Sequence, residues 1–340
     1  MLPVLDDADL DLVAALQRAP RAPLSLLGEV LGVSPSTAGR RLARLESRRV
    51  LRVVGQPDWS LTGEGNPWHV WLTAEPGRAG ELARRTAALP EAQLVATTAG
   101  RTDIYAVVQP GTRGAARELL TARLPSMPGV GSARSELVLR ALTKTDRWRM
   151  PRLAEDRCAA LDAAHLEEVG EPPSPAGRPP APPRPDGEEM RVARLLREDA
   201  RAPAAKIARE LGVAQSTAYR TARQLLRDGV VRPRVEIEPA LLGYAREAVV
   251  TLTLAPGDTA HAAEVLARHP SARYVSLAAG DSSLIHHGVW RDEDALADFL
   301  TVDLAALPGI SAVVVLPVLD VLRRNWLDRH DGLLREPSGG

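Results

Sequence analysis

The chain has 340 residues, 45% of them hydrophobic, which fits two to four globular domains rather than one. Basic and acidic residues balance at 43 each, so any nucleic-acid footprint must be local rather than global. A single cysteine, Cys158, excludes an intrachain disulfide and a four-cysteine zinc site. The start carries Asp6, Asp7 and Asp9 instead of a basic stretch before an apolar run, so a secretory signal is not expected. The apolar runs at 248–255 and 312–316 are too short to span a membrane and read as buried strands, which predicts a cytoplasmic chain without a membrane partner.

In chain order, the first expected element is a helix over 9–19, from the stripe Leu10, Val13, Ala14, Leu16 and Gln17. Pro20 and Pro23 end it and open a short helix over 24–31, with Leu24, Leu27, Val30 and Leu31 on one side. Gly32 supplies a tight turn, Ser34 an N-cap and Pro35 a first helical position, so a third helix runs over 35–47. Its apolar face is Ala38, Leu42 and Leu45, and its other face carries Ser36, Thr37, Arg40, Arg41 and Arg44. Helix, glycine turn and helix make a helix-turn-helix pattern over residues 1–55. Small polar residues on the first turn of a recognition helix reach base edges, and arginine takes guanine in a bidentate manner. Arginines a turn or two later would meet phosphates. The candidate DNA-reading residues are therefore Ser34, Ser36, Thr37, Arg40, Arg41 and Arg44, the alternative being a solvated face used for protein contacts.

Over 66–145 the periodicity changes. Strands are expected at 69–73, 93–98, 104–109 and 135–142, the last alternating through Leu137, Leu139 and Ala141. Helices are expected at 78–88 and 113–124. The order is the split βαβ, or ferredoxin-like βαββαβ, arrangement, whose open sheet needs covering and invites pairing with another copy of itself. Residues 146–188 read as a helical segment followed by a linker, with eight prolines between Gly170 and Glu188. Fully extended, that stretch would reach roughly 60 Å at about 3.1 Å per residue.

The pattern then repeats at an offset of 180 residues. Arg21-Ala-Pro matches Arg201-Ala-Pro, Ser36-Thr37-Ala38 matches Ser216-Thr217-Ala218, Ala99-Gly100 matches Ala279-Gly280, and Pro128-Gly129 matches Pro308-Gly309. A second helix-turn-helix domain is expected over 189–236, with helices at 191–200, 204–211 and 215–227. Its outward face carries Gln215, Ser216, Thr217, Tyr219, Arg220 and Arg223. A second sensor domain is expected over 245–325, with strands at 248–254, 273–277, 284–289 and 310–319, helices at 260–268 and 294–305, and a tail over 326–340. Residues 189–234 hold eleven basic side chains against five acidic, and residues 1–55 eight against six, so the second module is expected to contribute more DNA affinity.

The string Gly-Val-Ser-Pro-Ser-Thr at 32–37 before an arginine-rich helix resembles the Lrp/AsnC (feast/famine) transcription regulators, as do the Gly100-Arg-Thr-Asp103 turn and the Leu124-Pro-Ser-Met-Pro-Gly-Val130 segment before a final strand. The resemblance covers both copies, apart from the linker and tail. It implies an α+β architecture in which two winged-helix-like DNA-binding domains alternate with two ferredoxin-like sensor domains. It also implies binding to double-stranded DNA, modulation by a small metabolite such as an amino acid, and self-association through the sensor domains. Carried over by position, the effector loops are Gly100, Thr102 and Asp103 in copy one, and Gly280, Ser282 and Ser283 in copy two. Ser283 departs from the acidic pattern, so copy one is expected to keep more of the sensor loop, unless each turn is simply a hairpin corner.

Two other readings stand beside this one. Sirohaem decarboxylases resemble the same architecture, and an enzyme would draw on His69, His261, His286 and His287. His286 and His287 are adjacent on an expected strand, so they point to opposite faces and cannot share one metal. No phosphate loop, nucleophile elbow or Cys/His metal spacing occurs, so no catalytic residue, cofactor or metal is expected. The remaining alternative is a sensor that has lost DNA binding and serves as an oligomerisation partner.

Overall fold

The computed structural model describes residues 3–143, 147–170, 183 and 185–335. Most of the proline-rich stretch, at 171–182 and 184, and the end of the expected tail lie outside the described residues. The chain divides into two units, one holding 3–61 and 149–238, the other 62–148 and the chain from Pro239 onward.

In the first unit, copy one contributes α1 (Asp7–Arg18), α2 (Leu24–Leu31), α3 (Pro35–Ser47) and β1 (Leu51–Pro57). The Asp6 side chain caps α1 on the Asp9 amide, and Gly32 ends α2 at φ 68°, the left-handed region that glycine enters without steric cost. Leu12, Val13, Leu16, Leu27, Ala38, Leu42 and Leu45 form the apolar centre. Leu24, expected on the inner side, is instead about a third exposed. A short helical turn, α4 (Trp59–Thr62), follows β1.

Copy two contributes α8 (Gly187–Glu198), α9 (Ala204–Leu211), α10 (Gln215–Arg227) and β6 (Val231–Ile237) around Val192, Leu196, Ile207, Ala218, Ala222 and Leu225. Helix α8 begins earlier than the periodicity predicts, because Asp186 and Glu189 form a capping box at its start. Strands β1 and β6, which sequence reading missed, pair antiparallel from Leu51 with Ile237 to Pro57 with Val231. Helix α7 (Glu155–Val169) packs on α1, α2 and α10, so the segment between the copies belongs in part to this unit.

The second unit contains β2 (Trp68–Ala74), α5 (Ala79–Ala87), β3 (Ala92–Thr98), β4 (Ile104–Val108), α6 (Arg113–Glu118) running into a π-helical turn, and β5 (Val130–Thr143). Copy two repeats it with β7 (Arg246–Leu254), α11 (Thr259–Arg268), β8 (Ala272–Ala279), β9 (Leu284–Trp290), α12 (Glu293–Asp298) and β10 (Ile310–Arg324), to which β11 (Leu327–His330) and β12 (Leu333–Leu334) add a hairpin. Each copy has the strand order of the expected ferredoxin-like sheet.

The two sheets join within the chain. Strand β5 pairs with β8, and β10 pairs with β7 along its first half and with β3 along its second, so eight strands close on themselves. Closure satisfies the edges that an open sheet would leave for another chain. Helices cover the outside through Leu82, Ala83 and Leu119 in copy one, and Ala262, Leu266 and Phe299 in copy two. The inside holds Trp71, Tyr105, Val107, Val249, Ile285 and Leu316. One sequence expectation has the wrong phase: along β5 the buried side chains are Glu136, Val138 and Thr143, while Leu139 is half exposed.

Candidate functional site

Two groups of predicted residues are brought together, one on the third helix of each helical trio and one at the turn between the middle strands of each sheet.

In α3, the Ser34 hydroxyl accepts the Thr37 amide at 3.1 Å and lies 2.9 Å from both the Ser36 and Thr37 hydroxyls. Ser34 thus ends the helix and orders the two small polar side chains beside it. Arg40 is exposed and has no hydrogen-bond or ion-pair partner among the described residues. Arg41 and Arg44 differ from the expectation of free phosphate contacts. Arg41 reaches Asp6 at 3.1 Å and Asp9 at 3.0 Å, and Arg44 reaches Asp9 at 2.5 Å. Asp9 is almost wholly buried, so its carboxylate needs these cations. The backbone amide of Asp9, and then Arg41, hold the Asp6 carboxyl below its ordinary value.

In α10, Ala214 stands at the cap and makes no side-chain bond. Gln215, Ser216, Tyr219 and Arg220 are exposed, Tyr219 by 57%, whereas Thr217 and Arg223 are half-buried. Arg220 and Arg223 have no partner among the described residues. The positions matching Arg41 and Arg44 are Thr221 and Gln224, so copy two lacks the tethered arginines.

The two sensor loops share one backbone pattern. The Asp103 amide donates to Leu72 and the Ser283 amide to Leu252, and their carbonyls accept the amides of Thr98 and Ala278. The Asp103 carboxylate accepts the Ala74 amide at 2.8 Å, and the Ser283 hydroxyl accepts the matching Leu254 amide at 3.2 Å. The side chain that distinguished the copies in sequence therefore closes the loop in both.

The real difference lies on the strand facing each loop. Gly100, at φ 108°, lies against Leu316. Gly280 lies so close to Glu136 that a Cβ there would sit 2.4 Å from its Cγ. Glu136 is fully buried and neither carboxylate oxygen has a hydrogen bond of good geometry. Burial raises its pKa, while Ser282 beside it and Arg134 at 3.7 Å oppose the rise. Arg134 in turn pairs with Asp281 at 2.9 Å and lies 5.6 Å from the centre of the Trp71 ring. Ser283 gives the copy-two loop no acid of its own, but β5 of copy one places the Glu136 carboxylate beside it. Sequence reading missed Glu136, Arg134 and Trp71. The available signal was a charged residue at alternate positions of a strand otherwise rich in apolar side chains.

Of the four candidate histidines, His261 is exposed, while His69, His286 and His287 are buried and locally bonded. His69 contacts the Tyr105 hydroxyl at 2.8 Å and the Ser276 hydroxyl at 3.0 Å, and burial, then His287, pushes its pKa down to about 3. His286 meets Ser271 at 2.9 Å on the helix-covered face and is likewise pushed to about 3 by burial, then by His269 and His287. His287, on the opposite face as the strand alternation requires, bonds Glu247 at 2.6 Å. Burial acts to raise the Glu247 pKa, but Arg324 at 2.7 Å and then His287 hold it well below the carboxylate range. Among the described residues no group of three or more His, Cys, Asp or Glu is placed to hold a metal. No helix among them is long and apolar enough to cross a membrane.

Comparison with known proteins agrees with these modules. Residues 5–46 match the AsnC-type helix-turn-helix domain, 247–326 the Lrp/AsnC ligand binding domain, and 190–234 the IclR helix-turn-helix domain. The HTH-type transcriptional regulator FL11 of Pyrococcus horikoshii is 26% identical over 132 residues, covering 38% of this chain and 87% of the relative. The HTH-type transcriptional regulator LrpA of the same organism is 26% identical over 140 residues, covering 41% of this chain and 99% of the relative. Among solved structures, the siroheme decarboxylase NirDL aligns over 94% of this chain and 93% of its own, with TM-score 0.60 and 11% identity, a likeness of fold alone.

Proposed function

The chain belongs to the Lrp/AsnC family, and on that premise we propose that it is a sequence-specific DNA-binding transcriptional regulator whose binding responds to a small metabolite of the amino-acid class. The observation that carries this reading is a pair of exposed arginines, Arg40 and Arg220, without a partner among the described residues, each one turn beyond a Ser-Thr pair at the start of a third helix. Ser34, Ser36, Thr37 and Arg40 in copy one, and Gln215, Ser216, Thr217, Tyr219, Arg220 and Arg223 in copy two, are the proposed DNA contacts. Arg41 and Arg44 take part only so far as Asp6 and Asp9 release them. The effector is assigned to the loops Gly100, Thr102, Asp103 and Gly280, Ser282, Ser283, with Glu136 as an acid able to pair with an ammonium group in copy two.

A non-enzymatic, cytoplasmic role accords with this reading. Inside the closed sheet His69 bonds to Tyr105 and Ser276, and Glu247 to His287 and Arg324, pairings of the kind that stabilise a packed core. The test is fluorescence anisotropy of the full chain on the DNA upstream of its own coding sequence, with and without each amino acid. Arg220→Ala is expected to weaken binding about tenfold to hundredfold, and Arg40→Ala by less. Binding unchanged in the double variant would overturn DNA reading by these helices, and a spectral change with turnover of added sirohaem would overturn the non-enzymatic role.

A further inference from the structure

We propose that one chain by itself reads an inverted pair of unlike DNA half-sites, so that its operator is asymmetric and is bound in a single orientation. This rests on the DNA-binding reading and adds to it the form of the target.

The first support is a pseudo-two-fold axis inside the helix-turn-helix unit. Val231 is the 180-residue counterpart of Leu51, and Ile237 that of Pro57. The outermost pairs of the β1–β6 ladder, Leu51 with Ile237 and Pro57 with Val231, therefore exchange under that shift, while the central pair, Val54 with Arg234, maps onto itself. The axis passes through that central pair. Other contacts obey it. Arg21 donates to the Ala200 carbonyl, and its counterpart Arg201 donates to the Pro20 and Ala22 carbonyls at 2.7 and 2.9 Å. Helix α8 packs on β1, and its counterpart α1 packs on β6. Two reading helices related in this way match a duplex whose half-sites run in opposite directions.

The second support is the side chains that the axis relates. Ser36, Thr37 and Arg40 have identical counterparts in Ser216, Thr217 and Arg220. Around them the surfaces diverge: Pro35, Gly39 and Ala43 have Gln215, Tyr219 and Arg223 as their counterparts at the 180-residue offset. Gln215 and Tyr219 are exposed and Arg223 has no partner among the described residues, so copy two carries an amide, an aromatic hydroxyl and a guanidinium at positions where copy one has none. Glutamine recognises adenine and arginine recognises guanine in the major groove. The half-sites therefore share the bases read by the common Ser-Thr-Arg set and differ at the flanks reached by Gln215, Tyr219 and Arg223. Two identical subunits would present identical surfaces and favour a palindrome. This single chain does not.

The experiment is selection of random-sequence duplex by the full chain in the presence of an amino-acid pool, followed by affinity measurement on the selected sequence. The expected motif is two inverted half-sites with a common core and different flanks. Replacing either half by the inverted copy of the other should weaken binding by about tenfold. Tyr219→Ala with Arg223→Ala should relax base preference in one half only, and Arg40→Ala in the other only. Both variants place alanine on exposed or half-exposed helix positions, where it sustains the helix. A preferred palindrome, a direct repeat, or relaxation of both halves by either variant overturns the asymmetric operator while leaving DNA binding intact. No enrichment over an Arg40→Ala/Arg220→Ala chain overturns the DNA-binding reading and this inference together.

Discussion

In copy one, α3 starts at Ser34, whose hydroxyl holds the Thr37 amide, whereas in copy two α10 starts after Ala214 with no side-chain cap. In the sensor loops the replacement runs differently. Asp103 becomes Ser283, and the oxygen on the strand amide is kept. The contrast follows from where water can reach. An exposed helix start can leave an amide to solvent, so its cap is dispensable. The amides of Ala74 and Leu254 lie on half-buried or buried strand positions, where an unpaired donor is costly, so the side chain changes but its acceptor stays. Between the copies, backbone needs are conserved and surface chemistry diverges.

The strongest way to break this comparison is acid. His69 of copy one and His286 of copy two are both buried with pKa values near 3, below the ordinary histidine value of about 6.5. Between those values the unfolded chain binds protons that the folded chain refuses, so stability falls as pH drops through that window. The slope approaches about 1.4 kcal/mol per pH unit for each histidine, about 5 kcal/mol in all from pH 6 to pH 4. Glu247, with its pKa lowered in the fold, loses stabilisation in the same direction as pH falls. Urea unfolding at several pH values measures the slope, and His69→Gln should remove about half of the histidine part. A flat profile would mean that these rings are not held neutral by burial.

Next is Arg324→Ala. It leaves the Glu247 carboxylate buried beside His287, and should cost about 3 kcal/mol in urea unfolding. Glu247→Gln in the same chain should recover part of that loss. In copy one the sequence positions matching Arg324 and Glu247 are Lys144 and Pro67. Proline carries no carboxylate, so the ion pair belongs to one copy and sharpens the asymmetry inside the closed sheet.

The loop clasp gives a smaller effect. Asp103→Ala and Ser283→Ala should each destabilise by about 1–2 kcal/mol by orphaning a strand amide. Asp103→Ser should largely spare the fold, because serine already does this work in copy two. An Asp103→Ser chain as unstable as Asp103→Ala would show that the carboxylate has a role its counterpart lacks. The smallest effect is at the helix starts: Ala214→Ser should add about 0.5–1 kcal/mol, and Ser34→Ala should remove about 1 kcal/mol. Thermal unfolding read by circular dichroism suits both.

The sequence named most elements because their causes are local. The third helix of copy one is bounded by a serine cap, a proline and an apolar stripe, and its observed limits, Pro35–Ser47, coincide with the expectation. Prediction failed where the cause lay across the fold. Arg41 and Arg44 look free along their helix, but packing brings Asp9 of α1 beneath them. Glu136 lies in a strand whose leucines draw attention to the other face, and only the meeting with Gly280 of the other copy shows that the acid is enclosed.

What the chain's sequence determined unaided is the repeat, the type of each module and the residues on each third helix, since periodicity, caps and turn residues act over a few positions. What only the tertiary structure decided is how the copies meet: β1 on β6, β5 on β8 and β10 on β3, within one chain. Backbone hydrogen bonds between strands are nearly blind to side-chain identity, so an unpaired edge does not name its partner in sequence. The partner is set by which edges the fold of both copies brings side by side in register.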